Sequence, residues 1–211
     1  TGNAYANALV GNALANTLSA GNGNDTLDGG AGADTLTGGQ GNDTYVNPTG
    51  DTIVEGAAAG SGTDTVQAEM TFSLDGIANV ERLFLSGTAA INGTGNGLAN
   101  QITGNDRANA LGGAAGNDTL GGGGGGDTLN GGDGADRLTG GTQRDKLIPG
   151  VDTQADILVF STQPERRAIF GQRDPRPGES RAEQAFGMWS SADGTGRRSA
   201  ERRTCSVWRR P

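Results

Sequence analysis

The chain has 211 residues, of which 40 are glycine, 33% are hydrophobic and only 4% are aromatic. Average glycine usage is about 7%, so glycine is strongly enriched here. The low content of hydrophobic and aromatic residues cannot fill the core of a large globular domain. The sequence contains no His and a single Cys, which excludes a His-based catalytic triad, a His zinc site and an internal disulfide framework. No run of eighteen apolar residues occurs, so no transmembrane segment is predicted.

The formal charge of −8 is unevenly distributed along the chain. Residues 1–162 carry 18 acidic and 5 basic side chains, whereas residues 163–211 carry 6 acidic and 11 basic ones. Both Trp residues, the Cys and four of the six Pro also fall in the second part. This shift in composition predicts a boundary near Ser161 between a glycine-rich acidic region and a basic tail.

A nine-residue repeat organises the acidic region. From Ala20 the chain reads AGNGNDTLD, GGAGADTLT and GGQGNDTYV, and from Gly113 it reads GAAGNDTLG, GGGGGDTLN, GGDGADRLT and GGTQRDKLI. Apart from Gln143, each copy has small residues at positions 1, 2 and 4, Asp at position 6 and an apolar residue at position 8. Weaker copies, with Asn at position 6, start at Gly2, Gly11, Gly95 and Gly104.

This repeat predicts alternating turns and short strands. Glycine permits the positive φ angles and close backbone approach of a tight turn, and the three residues around position 8 suffice for a strand but not for a helical turn. A chain that alternates in this way winds into a parallel coil, so we predict an all-β solenoid, of β-roll or β-helix type, with a disordered C-terminal tail. The position-8 side chains are predicted to point inward: Leu27, Leu36, Tyr45, Leu120, Leu129, Leu138 and Leu147.

The repeat resembles the hemolysin-type, or repeats-in-toxin (RTX), calcium-binding motif GGxGxDxUx. The resemblance covers residues 2–46 and 95–148. In that family two nonapeptides make one turn, which implies that each Asp lies above the Asp eighteen residues further on. The implied pairs are Asp25 with Asp43, Asp118 with Asp136, and Asp127 with Asp145.

Stacked carboxylates would destabilise such a coil by like-charge repulsion. A Ca²⁺ ion between two turns reverses this effect, because two Asp and one dication sum to zero charge. Calcium takes six to eight oxygen ligands, including backbone carbonyls, in flexible geometry. We therefore expect several Ca²⁺ ions as cofactors, with folding and binding as one reaction.

The resemblance also implies ligand sets. In the family, the carbonyls at positions 2 and 4 and the Asp of one turn act with the carbonyls at positions 1 and 3 and the Asp of the turn two repeats later. The three implied sites are Gly21, Gly23, Asp25, Gly38, Gln40 and Asp43; Ala114, Gly116, Asp118, Gly131, Asp133 and Asp136; and Gly123, Gly125, Asp127, Gly140, Thr142 and Asp145.

Mixed pairs of Asn and Asp carry one charge less. Asn16 with Asp34 is one such pair, in which Gly29 and Ala31 would add carbonyls from the Asp34 turn. These pairs are expected to bind Ca²⁺ weakly or to remain structural rungs, because Asn can still form hydrogen bonds along a ladder.

Three residues depart from the motif. Ala20 and Ala114 replace glycine at positions 1 and 2, which is tolerable if φ is negative there. Gln143 replaces the position-4 glycine of the last repeat, where no later repeat would use its carbonyl.

Residues 47–94 break the nine-residue period and are interpreted as irregular β spacer rungs between a first array at 1–46 and a second array at 95–160. Short strands are predicted near residues 52–55, 63–67 and 80–85. Residues 60–64 echo half a repeat. Asp51 and Asp64 are interpreted as turn residues rather than ligands.

The tail at 161–211 is rich in Arg, Pro and Ser and has no sustained hydrophobic period. We favour a disordered terminus over a basic arm for nucleic acid or anionic surfaces, because no fold accompanies the charges, so no nucleic-acid partner is predicted. A third interpretation is an out-of-frame segment, since Arg, Pro, Trp and Cys all become frequent at one junction.

The leading functional hypothesis is a calcium-binding RTX module of a secreted protein that folds outside the cell. The resemblance implies type I secretion, although the tail does not look like the usual C-terminal export signal. No His-Glu-x-x-His or Gly-x-Ser-x-Gly motif occurs, so the chain is predicted not to be an enzyme. Two alternatives remain: an accessory module of a secreted hydrolase or epimerase in a larger parent chain, or a structural protein of a surface assembly or adhesin.

Overall fold

The computed structural model describes residues 1–56 and 60–160, together with the backbone of one strand in the tail. All regular secondary structure in this part of the chain is β, and its strands have two to six residues. In chain order they are β1 (Ala8–Asn12), β2 (Thr17–Asn22), β3 (Thr26–Gly30), β4 (Thr35–Gln40), β5 (Thr44–Val46), β6 (Thr52–Val54), β7 (Thr65–Ala68), β8 (Phe72–Ser73), β9 (Arg82–Leu85), β10 (Gly93–Thr94), β11 (Gln101–Thr103), β12 (Ala110–Ala115), β13 (Thr119–Gly121), β14 (Thr128–Asp133), β15 (Arg137–Thr139), β16 (Lys146–Ile148), β17 (Ile157–Val159) and β18 (Val207–Arg209).

Pairing between every second strand builds a solenoid with two walls. One wall is a ten-stranded sheet in the order β1-β3-β5-β7-β9-β11-β13-β15-β17-β18. The even-numbered strands form the other wall as two separate sheets, β2-β4-β6 and β8-β10-β12-β14-β16. The pairs along both walls are parallel, and only β18 runs antiparallel to its neighbour β17 among the described strands. The chain thus forms a parallel β-solenoid of about 8 turns, which confirms the predicted fold class.

Strand register establishes that two nonapeptides make one turn. In the first array Leu9 pairs with Leu27, and in the second Leu120 pairs with Leu138, each a step of eighteen residues. Because the step is twice the repeat length, equivalent positions of alternate repeats lie directly above one another. The stacking implied by the RTX resemblance is therefore confirmed.

The core is a column of position-8 side chains between the two walls. Burial of each contributes roughly 1.5–3 kcal/mol, which is the main apolar stabilisation available to so small a repeat. The seven side chains predicted to point inward are all fully buried: Leu27, Leu36, Tyr45, Leu120, Leu129, Leu138 and Leu147.

The segment between the arrays continues one wall and interrupts the other. The predicted strands near 52–55, 63–67 and 80–85 correspond to β6, β7 and β9. Strands β7 and β9 carry the ten-stranded sheet through this segment, with steps of 21 residues from Thr44 to Thr65 and 17 from Thr65 to Arg82. On the opposite wall β6 is the last strand of the three-stranded sheet.

The tail is described only at β18, which pairs with β17. The predictions of disorder and of a possible change of reading frame otherwise concern residues outside the described part of the chain.

The structure corrects one expectation about the turns. The φ angle of Ala20 is not positive, which agrees with the expectation that alanine is tolerated there. In contrast, Ala114 has φ of +81° and Gln143 has φ of +76°. Ala114 pairs with Gly132 in the β12–β14 ladder, and Gly132 has φ of +104°. The register of the stacked turns imposes this conformation on Ala114, and a residue with a Cβ is strained there.

Replacing Ala114 with Gly is expected to raise the free energy of unfolding by about 1 kcal/mol, because Gly removes the strain of a positive φ. Ala115→Gly is the matched control, since Ala115 lies next in β12 without a positive φ; there Gly should lower the free energy by roughly 0.5–1 kcal/mol. Thermal unfolding in saturating calcium measures both changes, and equal effects of the two substitutions would contradict this account.

Candidate metal centre

The turns place the position-6 Asp residues at the inner edge of the solenoid. Each turn uses positive φ angles at positions 2 and 4, for example +113° at Gly21 and +119° at Gly23. The Asp that follows immediately precedes a strand and is buried, with 1% of Asp25 and 1% of Asp118 exposed. Burial of a carboxylate is costly unless it finds a donor or a cation.

Each carboxylate receives one hydrogen bond from the preceding turn. The backbone N of Asp25 donates to Oδ1 of Asp43 over 2.7 Å. The same contact joins Asp118 to Asp136 over 2.9 Å and Asp127 to Asp145 over 2.8 Å. The structure therefore brings together all three pairs that the resemblance implied.

At the second-array turns with Asn at position 6, the side-chain amide finds hydrogen-bond partners for both its oxygen and its nitrogen. Oδ1 of Asn109 accepts a hydrogen bond from the backbone N of Asn105 over 2.9 Å, and its Nδ2 donates to the carbonyl of Ile91 and to Oδ1 of Asn105. The Asn100 amide is bonded in the same manner to its own turn and to the preceding one. The amides of Asn100 and Asn109 thus supply donors to carbonyls of the preceding turn, so these two positions need no cation.

The Asp rungs leave their second oxygen without a partner. These oxygens are buried and accept no hydrogen bond, whereas a carboxylate oxygen normally accepts one or more. A column of unpartnered anionic oxygens fits a bound cation. The atoms are Oδ2 of Asp25, Asp34, Asp43, Asp64, Asp118, Asp127, Asp136 and Asp145, and Oε2 of Glu55.

Backbone carbonyls converge on the same oxygens. A Cβ on Gly113 would lie less than 3.0 Å from both Asp118 Oδ2 and the carbonyl of Gly131. A Cβ on Gly122 would likewise approach Asp127 Oδ2 and the Gly140 carbonyl. The position-1 carbonyl of one turn therefore faces the carboxylate of the turn before it, across a space kept open by glycine.

The other implied carbonyls also face the space between turns. The carbonyls of Ala114 and Gly116 point at Gly132 and Gly134 of the next turn, where no Cβ could be accommodated. In the opposite direction, the Asp133 carbonyl accepts a hydrogen bond from Gly116 N over 2.9 Å. In the first array the Gln40 carbonyl accepts one from Gly23 N over 2.7 Å. A carbonyl has two lone pairs, so each of these acceptors keeps a second one for a ligand.

A family model described as the RTX calcium-binding nonapeptide repeat (4 copies) matches residues 2–45, 94–129 and 112–147. These segments are RTX calcium-binding nonapeptide repeats. RTX nonapeptide repeats bind Ca²⁺, and the buried Asp ladder is consistent with that cofactor. The RTX β-roll is a structural calcium-binding module, typical of secreted proteins. No curated protein matches the chain.

No helix in the described residues of this RTX chain is long and apolar enough to cross a membrane.

Burial raises the pKa of the ladder carboxyls, whereas a bound cation would lower it. The pKa of Asp118, Asp127 and Asp136 is raised to about 6, mainly by loss of hydration and also by a neighbouring Asp on the ladder. The hydrogen bond from the preceding backbone N acts in the opposite sense. The ionised form is thus disfavoured in the absence of metal.

Sequence reasoning missed Asp64. It was interpreted as a turn residue, but its side chain is fully buried and its Oδ1 accepts a hydrogen bond from Asp43 N over 2.7 Å. Gly60 and Gly62 precede it at positions 2 and 4 of the motif, with φ of +102° and +99°. The half repeat at 60–64 was therefore a usable signal, obscured by the 21-residue step.

Other carboxylates also extend the ladder beyond the nonapeptides. Asp51 Oδ1 accepts from Asp34 N over 2.9 Å, so Asp51 also occupies a ladder position. It closes the turn that starts at Pro48, as its N donates to the Pro48 carbonyl over 3.3 Å. Glu81 Oε2 accepts from Asp64 N over 2.9 Å, and Asp156 Oδ1 accepts from Asp136 N over 3.0 Å. Glu81 lies in no recognisable repeat, and Asp156 keeps only the Asp-x-Leu end of one, within the second array.

Gly122→Ala is expected to lower the free energy of unfolding by about 1–3 kcal/mol, because its Cβ would enter the space between Asp127 Oδ2 and the Gly140 carbonyl. Gly121→Ala is the matched control: no atom lies within 4 Å of its Cβ position and its φ is not positive. Chemical unfolding in saturating calcium compares the two variants. Equal stability of both would show that the space is not needed.

Proposed function

We propose that this chain is a calcium-binding module of a secreted RTX protein that folds when Ca²⁺ binds outside the cell. The observation that carries the proposal is the column of buried Asp oxygens without hydrogen-bond partners. Oxygen-only ligands, two carboxylates per site and flexible loops suit Ca²⁺ among the common divalent ions.

Three sites with two carboxylates each are proposed. They take the ligand sets implied by the RTX resemblance, centred on the pairs Asp25 with Asp43, Asp118 with Asp136, and Asp127 with Asp145. The hydrogen bonds between stacked turns and the directions of the backbone carbonyls support these sets. The pair of Asn16 with Asp34 is proposed as a structural or weakly binding rung, because it has only one carboxylate.

Coupled folding follows from the energetics of one repeat. The conformational entropy lost on ordering nine residues opposes folding, and each repeat buries only one large apolar side chain to offset it. Buried, mutually repelling carboxylates add to the cost. Since calcium modules outside cells bind at about 10⁻⁴ to 10⁻³ M, such a chain would remain unfolded where calcium is scarce and fold where it is abundant.

Export in the unfolded state, by type I secretion, fits this switch. The support is the family, whose repeats are typical of secreted proteins. We further propose a structural rather than a catalytic role, in a larger parent chain or a surface assembly. The support is that the proposed calcium ligands occupy the turns of the described repeats and core side chains fill their interiors.

Far-ultraviolet circular dichroism of the chain with and without millimolar calcium tests the proposal. We expect a β spectrum with calcium and a largely unfolded spectrum without it. Magnesium at the same ionic strength is the control, because Mg²⁺ demands octahedral geometry and retains its waters, so it should not induce the fold. Identical spectra with and without calcium would reject metal-driven folding.

A further inference from the structure

Three carboxylates meet where the first array ends. Asp43, Glu55 and Asp64 each offer an oxygen, and these oxygens all lie within 4.8 Å of one another. No other group of three or more such side chains with this spacing occurs among the described residues. The cluster differs from the proposed repeat sites, in which two carboxylates meet.

The three side chains come from both walls of the solenoid. Asp43 and Asp64 precede β5 and β7 of the ten-stranded sheet, whereas Glu55 follows β6, the last strand of the three-stranded sheet. Glu55 and Asp64 lie outside the residues that the RTX family model matches. Only Asp43 therefore belongs to a full nonapeptide; Asp64 ends a half repeat, and Glu55 lies outside the motif.

Each carboxylate has a buried oxygen with no hydrogen-bond partner. Asp43 is 1% exposed and Asp64 is 0% exposed, and the unpartnered atoms are Oδ2 of both and Oε2 of Glu55. Three negative charges this close, and this poorly hydrated, repel one another strongly. A cation among them is the simplest way to stabilise the arrangement.

Glycine keeps a space open beside the cluster. Three oxygens lie less than about 3.0 Å from the point that a Cβ on Gly38 would occupy: Asp43 Oδ2, Glu55 Oε1 and the Tyr45 hydroxyl. The hydroxyl donates to Glu55 Oε1 and accepts from Gly38 N over 2.9 Å. Tyr45 thus holds Glu55 in place from within the core.

We propose that Asp43, Glu55 and Asp64 form an additional calcium site, one that ties the end of the three-stranded sheet to the ten-stranded sheet. The proposal rests on the calcium-dependent fold only in requiring that β5, β6 and β7 form. Hard oxygen ligands, with no sulfur or nitrogen donor, favour Ca²⁺ over softer transition metals. With three carboxylates the site retains a charge of −1 after Ca²⁺ binds, so it should prefer a trivalent lanthanide of similar coordination.

Tb³⁺ luminescence tests the site, because Tyr45 contacts Glu55 and can transfer its excitation energy to a nearby ion. Tyr45→Phe identifies the part of the emission that Tyr45 sensitises. Glu55→Gln removes one charge while retaining an acceptor for the Tyr45 hydroxyl, and should raise the Tb³⁺ concentration at half-saturation of this emission at least tenfold. Asp106→Asn, which removes one exposed carboxylate in the second array, should leave it unchanged within about twofold.

The possible results distinguish a failure of the proposed site from a failure of the calcium-dependent fold. An unchanged midpoint in Glu55→Gln, in a chain whose circular dichroism responds to calcium, would overturn the proposed site and leave the calcium-dependent fold standing. No calcium response in the unmodified chain would instead reject the proposed function. If Glu55→Gln fails to reach the folded spectrum at saturating calcium, Asp64→Asn takes its place, and an unchanged midpoint there overturns the site equally.

Discussion

Replacing Asp118 and Asp136 together with Asn is expected to raise the calcium concentration at the folding midpoint at least tenfold. The two residues supply both carboxylates of one proposed site, and a tenfold change corresponds to only about 1.4 kcal/mol. Asn keeps an oxygen that can accept the hydrogen bonds of 2.7 Å from Asn100 N and 2.9 Å from Asp118 N. The variant therefore removes charge while preserving the ladder. A calcium titration followed by circular dichroism measures the midpoint, and equilibrium dialysis counts the ions lost.

Asp106→Asn with Asp133→Asn is the control for that variant. Both side chains are exposed, the change in formal charge is the same, and the proposed ligand at Asp133 is its carbonyl, which the substitution retains. Its midpoint should stay within about twofold of the unmodified chain. An equal shift in both variants would mean that net charge, rather than the buried ladder, sets the calcium requirement.

Acidification is expected to increase the solenoid content of the calcium-free chain. Burial raises the pKa of Asp118, Asp127 and Asp136 from 3.8 to about 6, and that of Asp64 to about 7. A carboxyl whose pKa is higher in the folded state favours folding below its unfolded pKa, and this contribution is lost as the pH rises through the folded pKa. The calcium-free fold should therefore be most populated below about pH 4 and decline as the pH rises from 4 to 7. Circular dichroism of calcium-depleted protein across this range measures the change.

The effect of acidification on folding should reverse when calcium is present. Protons compete with Ca²⁺ for the same oxygens, so the calcium midpoint should rise as the pH falls below about 6. A calcium-free chain whose β content does not increase on acidification would contradict the assignment of the ladder carboxyls as buried groups with raised pKa.

Most of the fold could be predicted from the sequence because the nine-residue repeat keeps a constant spacing within each array. Leu27 and Asp25 recur at the same repeat positions as Leu120 and Asp118, and a period of nine residues leaves few ways to stack equivalent positions. Once the family resemblance supplied two repeats per turn, the paired carboxylates and the buried column followed. Local spacing was sufficient there because every contact repeats a neighbouring one.

The features that escaped prediction depend on contacts between distant residues. The positive φ of Ala114 is imposed by the turn stacked on it, whatever its own preference. Asp64 joins the ladder across a 21-residue step, and Glu55 reaches Asp43 from the opposite wall. A periodic pattern carries no information about side chains that enter a site from outside the period.

Residue-resolved backbone hydrogen exchange, with and without calcium, tests most directly whether the Asp ladder forms only with the ion. The informative amides are those of Asn100, Asp118 and Asp127, which donate to ladder carboxylates over 2.7, 2.9 and 2.8 Å. We predict strong protection of all three in millimolar calcium and exchange at the rate of an unstructured chain when calcium is removed at neutral pH. Equal protection in both conditions, or none in either, would contradict a solenoid whose folding is driven by calcium.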